Sequence, residues 1–317
     1  MKKILITRKL IKSSEEIATQ LFDAKLNKED KILSKDELIK ESEGCDGILS
    51  SITEKFDKNL ILKLSETIKI ISNFAVGFGN IDIEAARKKI IVVTNTPEVL
   101  TDATAEIAIL ILLGAARRAK EGIQWANKKN WKWSADFLMG KQLTGSRLGI
   151  LGMGRIGRAV ADRARAFGMK IHYHNRSRLD KNLEKDSTYH QSLESLLSVS
   201  DFFSINCPAT KETKHIINNK NIKYFPDGAV ISNSARGDMI DDDAMVNALK
   251  NGKIFSIGLD VYNGEPNIHP EYLTLPNVFV LPHLGSSTLK TRTAMGNLAI
   301  QNMVDFFKTG ESNNKVN

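Results

Sequence analysis

Over the first hundred residues, short apolar runs alternate with amphipathic segments. Residues 2–7, 47–50, 68–73 and 90–95 read as strands, while 13–26, 57–64 and 83–88 read as helices. Such alternation implies a parallel sheet with helices on both faces. Pro97 ends the fourth strand, and 102–118 is apolar nearly all round, the mark of a helix buried between layers. The following stretch, 121–140, reads as irregular and polar, yet it holds all three tryptophans, Trp125, Trp131 and Trp133. That much aromatic area needs a cover, and a partner subunit is the expected one. Alternation resumes from Ser146, with strands near 147–151, 170–174, 187–190, 201–205, 229–233, 254–260 and 278–281. The chain closes on a helical pattern, 286–308, through Leu289, Ala294, Leu298, Met303 and Phe306, and then a loose polar tail, 311–317. The fold class expected is α/β, with doubly wound parallel sheets.

One junction in the second half carries chemistry. Gly152, Gly154 and Gly157 stand in G-x-G-x-x-G spacing between the strand 147–151 and a helix through Ile156, Val160, Ala164 and Phe167. The spacing has a steric reason. One glycine makes the turn, one lets backbone approach a pyrophosphate, and one lets helix and strand pack closely. The helix N-terminus then presents its unpaired N–H groups to the phosphates. In an NAD site an acidic residue roughly 20 positions on grips the ribose 2′-hydroxyl. Here that place is held by Asn175, followed by Arg176, Ser177 and Arg178, with no carboxylate before Asp180. Guanidiniums and a hydroxyl suit a 2′-phosphate, so NADP(H) is the expected cofactor and NAD(H) the alternative.

Composition narrows the partners. With 317 residues and 42% hydrophobic content the chain can bury a large core, and two domains are expected. The longest apolar stretch, 107–116, falls short of the roughly 20 residues a membrane helix needs. The N-terminal apolar run breaks at Arg8 and Lys9, which fits a first strand rather than a signal peptide. Cys45 and Cys207 build no disulfide framework, which points to a reducing, cytoplasmic setting. The net charge of +8 is spread among interleaved acids, as in Lys28, Glu29, Asp30 and Lys31. No nucleic-acid motif accompanies it, so no nucleic-acid partner is expected, and a modest field that steers anionic substrates and cofactors fits the charge as well. His172 and His174 share one strand face but have no third ligand of suitable spacing, so no metal is expected. Asp82 and the run from Asp241 to Asp243 read as helix N-caps and first-turn acids.

Three polar residues follow strands of the second half, at the carboxyl ends where such sheets bind ligands: Arg236, Glu265 and His283. Reducing a carbonyl requires a hydride donor, a proton donor for the oxygen and a group that holds the substrate. Histidine suits the proton transfer because its ordinary pKa, about 6.5, lies near working pH. A carboxylate such as Glu265 favours the protonated imidazole. Arg236 offers paired donors to a substrate carboxylate and so selects a 2-oxo acid.

The stretches NFAVGFGNIDIEAARKKIIVVTNTPEVLTDATAE (from Asn73), LGILGMGRIGRAV (from Leu148), SNSARGDMIDDDAMVNAL (from Ser232), GLDVYNGEP (from Gly258) and LPHLGSST (from Leu281) carry a resemblance that runs along almost the whole chain. The sequence resembles the D-isomer-specific 2-hydroxyacid dehydrogenases, in particular the glyoxylate/hydroxypyruvate reductase branch. The resemblance implies that Arg236, Glu265 and His283 are catalytic. It implies that backbone groups of Val76 and Gly77 hold the substrate carboxylate. Cofactor contacts are implied at Arg155, Ile156, Asn175, Arg176, Ser177, Arg178, Cys207, Pro208, Thr213, Ser234, Ala235, Asp260, His283 and Gly285. It also implies a homodimer in which Trp133 reaches the neighbouring subunit's substrate. The layout expected is a discontinuous, flavodoxin-like substrate domain, 1–98 with 287–317, around a Rossmann domain, 99–286. Two other readings carry less weight, an NAD(H)-sensing corepressor-like binding protein and a phosphoglycerate dehydrogenase. The C-terminal regulatory extension of some phosphoglycerate dehydrogenases is not expected here, nor is serine-type feedback. Formate dehydrogenase is disfavoured, since that enzyme carries glutamine where Glu265 stands.

Overall fold

In the computed structural model, which describes residues 1–317, the chain divides into one unit of Met1–Leu100 with Ser286–Asn317 and another of Thr101–Gly285. The first begins with β1 (Lys3–Ile6), α1 (Lys12–Leu21), β2 (Asp23–Leu26), α2 (Lys35–Glu41), β3 (Gly47–Ser50), α3 (Lys58–Lys63), β4 (Ile70–Asn73), α4 (Ile83–Lys88) and β5 (Val92–Thr94). The second holds α5 (Thr101–Ala116), α6 (Ala119–Lys128), β6 (Arg147–Leu151), α7 (Arg155–Ala166), β7 (Lys170–His174), α8 (Lys181–Glu184), β8 (Thr188–Tyr189), α9 (Leu193–Val199), β9 (Phe202–Ile205), β10 (Ala229–Asn233), α10 (Asp242–Lys250), β11 (Ile254–Leu259), α11 (Pro270–Thr274) and β12 (Val278–Val280). The last helix, α12 (Leu289–Thr309), belongs to the first unit.

All strands of the first unit are parallel, in the order β2-β1-β3-β4-β5. Central strands β3 and β4 are buried at every residue, which is why they read as continuous apolar runs rather than alternating ones. Ile4, Ile6, Leu49 and Ile70 share one cluster with Ala299, Ile300 and Met303 of α12, so the chain's last helix covers a sheet built by its first hundred residues. On the other face Leu5, Ile48 and Ile71 pack with Leu60, Ile61 and Ala86 of α3 and α4.

Three sequence expectations in these regions need correction. The helix expected over 13–26 ends at Leu21, and Asp23–Leu26 is an edge strand paired with β1. Its residues alternate between exposed and half-buried, so it lacks the apolar signal of its neighbours. The tail is not loose. Lys315 bridges Thr94, the Val316 N–H donates to the Val93 carbonyl, and the Asn317 side chain bonds both Val93 N–H and the Ile91 carbonyl. The polar tail thereby satisfies backbone groups on the open edge of β5. Finally, the tryptophan-rich stretch begins with a helix, α6. Arg118 enters it in the left-handed region (φ 55°) and forks both carboxylate oxygens of Glu121. No residue of α6 is buried, so no core-facing stripe announces it.

The second unit's parallel sheet runs β12-β11-β10-β9-β6-β7-β8, with its switch point between β9 and β6. Helix α5 lies tightly on one face of it. A Cβ on Gly258 of β11 would lie 2.1 Å from the Ile111 carbonyl oxygen, and one on Gly114 would lie 2.6 Å from the Phe279 ring. Ten residues of α5 are buried, as its nearly uniform apolarity requires. No helix of the chain is long and apolar enough to cross a membrane.

Candidate active site

At the switch point, β6 turns into α7 through the three glycines, and each does a different job. Gly152 is in the left-handed region (φ 93°), and a Cβ there would meet the Cys207 backbone nitrogen at 2.5 Å. A Cβ on Gly157 would lie 2.2 Å from the Gly152 carbonyl oxygen, so that glycine lets helix and turn close together. Gly154, the N-cap of α7, has nothing within 4 Å of such an atom. A turn, an open approach and a close packing are the three features a pyrophosphate on a helix N-terminus requires, so the residues present fit a dinucleotide.

The tip of β7 gives a more specific picture than its sequence. Asn175 accepts a hydrogen bond from the Met153 N–H through Oδ1 at 2.7 Å, tying the tip to the glycine turn. Arg178, the other guanidinium expected at the phosphate, is paired within the chain while its side chain stays 62% exposed. Its Nε and Nη2 fork Glu184 at 3.0 and 2.8 Å, and Tyr173 donates to the same carboxylate at 2.8 Å. This bonding outweighs the effect of burial and holds the Glu184 carboxyl below the ordinary carboxylate value. Arg176 and Ser177 remain exposed with no side-chain hydrogen bond in the chain.

Three loops at the carboxyl ends of β10, β11 and β12 bring together Arg236, Glu265 and His283. Glu265 Oε2 lies 2.7 Å from His283 Nδ1. A carboxylate can only accept, so Nδ1 carries the hydrogen and Nε2 is left to face a ligand. Burial raises the Glu265 pKa. The hydrogen bond and charge of His283, the Tyr262 N–H and the charge of Arg236 outweigh it, and the carboxyl sits below its ordinary value. Burial also pulls the Arg236 guanidinium down, against the charges of Glu265 and Asp238. Arg236 Nη1 donates to the Ala235 carbonyl at 2.6 Å, leaving its other N–H groups for a ligand.

Residues beyond these three hold their loops. Asn233, fully buried, accepts from the Ala235 N–H and donates to the Arg236 carbonyl. Asp260, which the resemblance marks as a cofactor contact, accepts from Leu284 and Gly285 N–H at 2.7 and 2.8 Å. Thr104 of α5 donates to the Gly285 carbonyl. Polar residues at strand ends signalled Arg236 and His283, but no spacing rule marks Asn233 or Thr104, whose bonds are made by tertiary approach.

The remaining expected positions are dispersed. In the first unit, the Val76 and Gly77 carbonyls are held by Asn95 and Asn73, and their N–H groups donate to no group of the chain, which suits an anion. In the second unit, the Cys207 thiol is pushed by burial up to about 11 and stays neutral, a packed group beside Met239 rather than a nucleophile. Thr213 donates to the Pro208 carbonyl. Ser234 lies with Ala235 in the loop after β10. Trp133 is 80% exposed. His172 pairs with His190 at 2.9 Å, and His174 bonds the His190 carbonyl.

Residues 109–285 match the model of the D-isomer specific 2-hydroxyacid dehydrogenase NAD-binding domain. The chain is 42% identical over 301 residues to a glycerate dehydrogenase of Hyphomicrobium methylovorum, covering 94% of each. It is 39% identical to a glyoxylate reductase of Thermococcus litoralis, covering 99% of this chain and 96% of that one. Among solved structures it is similar to an NADPH-dependent glyoxylate/hydroxypyruvate reductase of Sinorhizobium meliloti in complex with NADP and malonate. That likeness has a TM-score of 0.89 and 32% identity, over 99% of this chain and 96% of the other.

Proposed function

Since the chain belongs to the D-isomer specific 2-hydroxyacid dehydrogenases, we propose that it reduces glyoxylate or hydroxypyruvate to the 2-hydroxy acid, with NADPH as its preferred donor. The observation that carries this reading is the 2.7 Å bond from His283 to Glu265, with the Arg236 charge acting on the same carboxylate. The cofactor would be held by the turn from Gly152 to Gly157, including Arg155 and Ile156 at the start of α7, and by Asn175, Arg176 and Ser177. Cys207, Pro208, Thr213, Ser234, Ala235, Asp260 and Gly285 would complete its contacts. When bound, the nicotinamide supplies a hydride to the substrate's carbonyl carbon.

The chain's own residues do the rest. Arg236 binds the substrate carboxylate through paired N–H groups and so fixes the adjacent carbonyl. His283 delivers a proton from Nε2 to the carbonyl oxygen. Glu265 holds Nδ1, which sets the ring's tautomer and orientation. The preference for NADPH is supported by Arg176 and Ser177, exposed and without a side-chain hydrogen bond where an NAD site places a carboxylate. A homodimer is supported by apolar side chains that the chain itself leaves open around α6, among them Ile123 (58% exposed) and Trp131 (52%).

The test is turnover of a panel of 2-oxo acids with NADPH and with NADH. Highest kcat/KM for glyoxylate or hydroxypyruvate with NADPH is the expected result. Turnover confined to larger 2-oxo acids would overturn the substrate reading, and a preference for NADH would overturn the cofactor reading.

A further inference from the structure

His283 occupies the left-handed backbone region, with φ 56°, which a residue carrying a side chain adopts only when its surroundings hold it there. Its loop is tied down on its C-terminal side by Asp260 and Thr104, as described above. On its N-terminal side the Leu281 N–H donates to the Leu259 carbonyl at 2.8 Å, and one side chain reinforces that tie. The Tyr262 hydroxyl donates to the Leu281 carbonyl at 2.6 Å and also lies 3.2 Å from the Leu259 carbonyl, so it joins the end of β11 to the loop that follows β12. The same residue's N–H donates to Glu265 Oε1 at 2.9 Å, on the oxygen that His283 does not use. Tyr262 is 8% exposed, and its neighbours are fitted to it closely. A Cβ on Gly237, the residue after Arg236, would lie 1.8 Å from the Tyr262 carbonyl carbon. Tyr262 thus touches all three loops that carry Arg236, Glu265 and His283.

We propose that Tyr262 is a positioning residue for proton transfer, its hydroxyl and N–H together holding His283 and Glu265 in register. This rests on the reading of His283 as the proton donor. Glu265 keeps its N–H bond when the phenol is lost, so Tyr262→Phe removes only the tether on the His283 loop. The replacement leaves the half-buried Leu281 carbonyl with only the 3.1 Å bond from the His283 N–H and loosens the loop on that side, where the Leu281 N–H alone still holds the Leu259 carbonyl.

Three proteins decide the matter: wild type, Tyr262→Phe and, as control, Tyr272→Phe. Tyr272 is also buried and loses a comparable bond, to Asp242, away from these loops. In Tyr262→Phe we expect kcat for glyoxylate to fall about tenfold, as for loss of one well-placed hydrogen bond, with KM for glyoxylate and NADPH within about twofold. The solvent deuterium isotope effect on kcat should rise, because proton delivery becomes slower relative to other steps. Amide exchange at Leu284 and Gly285, measured without any ligand, should quicken about tenfold. Tyr272→Phe should leave the isotope effect and this exchange unchanged. Wild-type kcat and isotope effect in Tyr262→Phe would overturn the proposal, as would equal changes in both variants. A wild-type protein that turns over no 2-oxo acid overturns the proposed function and with it any part for Tyr262 in proton transfer. The exchange rates then still report separately whether the phenol holds the loop.

Discussion

On the proposed reading, the chemistry depends on His283 and the cofactor choice on Arg176. Replacing His283 with Gln keeps the ring's approximate volume but removes the titrating nitrogen, so kcat should fall by about 10²–10⁴, the usual range for general acid catalysis, with the cofactor's Kd little changed. Steady-state kinetics at saturating NADPH measure this, and a variant as fast as wild type would remove His283 from the mechanism. Arg176→Ala should weaken NADPH by roughly 10- to 100-fold, the equivalent of about 1.5–3 kcal/mol for a charged hydrogen bond, and leave NADH unaffected. An equal loss for both cofactors would mean that Arg176 does not meet the 2′-phosphate. Here the sequence could be read only halfway. Arg176 and Arg178 look equivalent in a string of letters, but Glu184, brought up by α8, occupies Arg178. Sequence proximity to a phosphate site does not show which guanidinium is already paired.

At the scale of elements, the glycine turn makes a sharper prediction than its motif does. Gly157→Ala forces an atom to 2.2 Å from a carbonyl oxygen, so α7 must move off β6. A loss of about 1–3 kcal/mol in stability is expected, as for an overpacked core. Gly154→Ala meets open space and extended backbone, so the protein should unfold at the wild-type temperature while losing NADPH affinity. Thermal melts beside cofactor titrations separate the two, and a Gly154→Ala protein with normal affinity would argue against a pyrophosphate at this turn. Elements that face the core were legible because burial imposes a period. The strand β2 and the helix α6 escaped because neither buries an apolar face within the chain. The tail escaped for a related reason. Its attachment is made by polar side chains and backbone on an open strand edge, which leaves no mark in a hydrophobic pattern.

At the scale of the whole molecule, the apolar residues left open on α5, α6 and the stretch after them predict self-association. Leu110, Ile123, Trp131, Trp133 and Met139 are all between 47% and 80% exposed. Sedimentation should return twice the chain mass of 35.2 kDa at micromolar concentration, and Ile123→Asp should shift it towards the single-chain value. Wild-type protein that sediments as a single chain would contradict the dimer.

The alternation of core-facing strands and helices, the parallel sheets it implies and the place of a dinucleotide turn were determined by the sequence alone. Each depends on burial periodicity or on a steric demand that only glycine meets, and such demands act locally along the chain. The return of α12 to the first sheet was expected from the family resemblance and not from any local pattern, and tertiary structure alone decided that Glu184 pairs with Arg178. It also decided that Asn233, Asp260, Thr104 and Tyr262 hold the loops of Arg236, Glu265 and His283. Those outcomes depend on hydrogen bonds and packing between residues far apart in sequence, whose geometry exists only once the strands have set their carboxyl ends side by side.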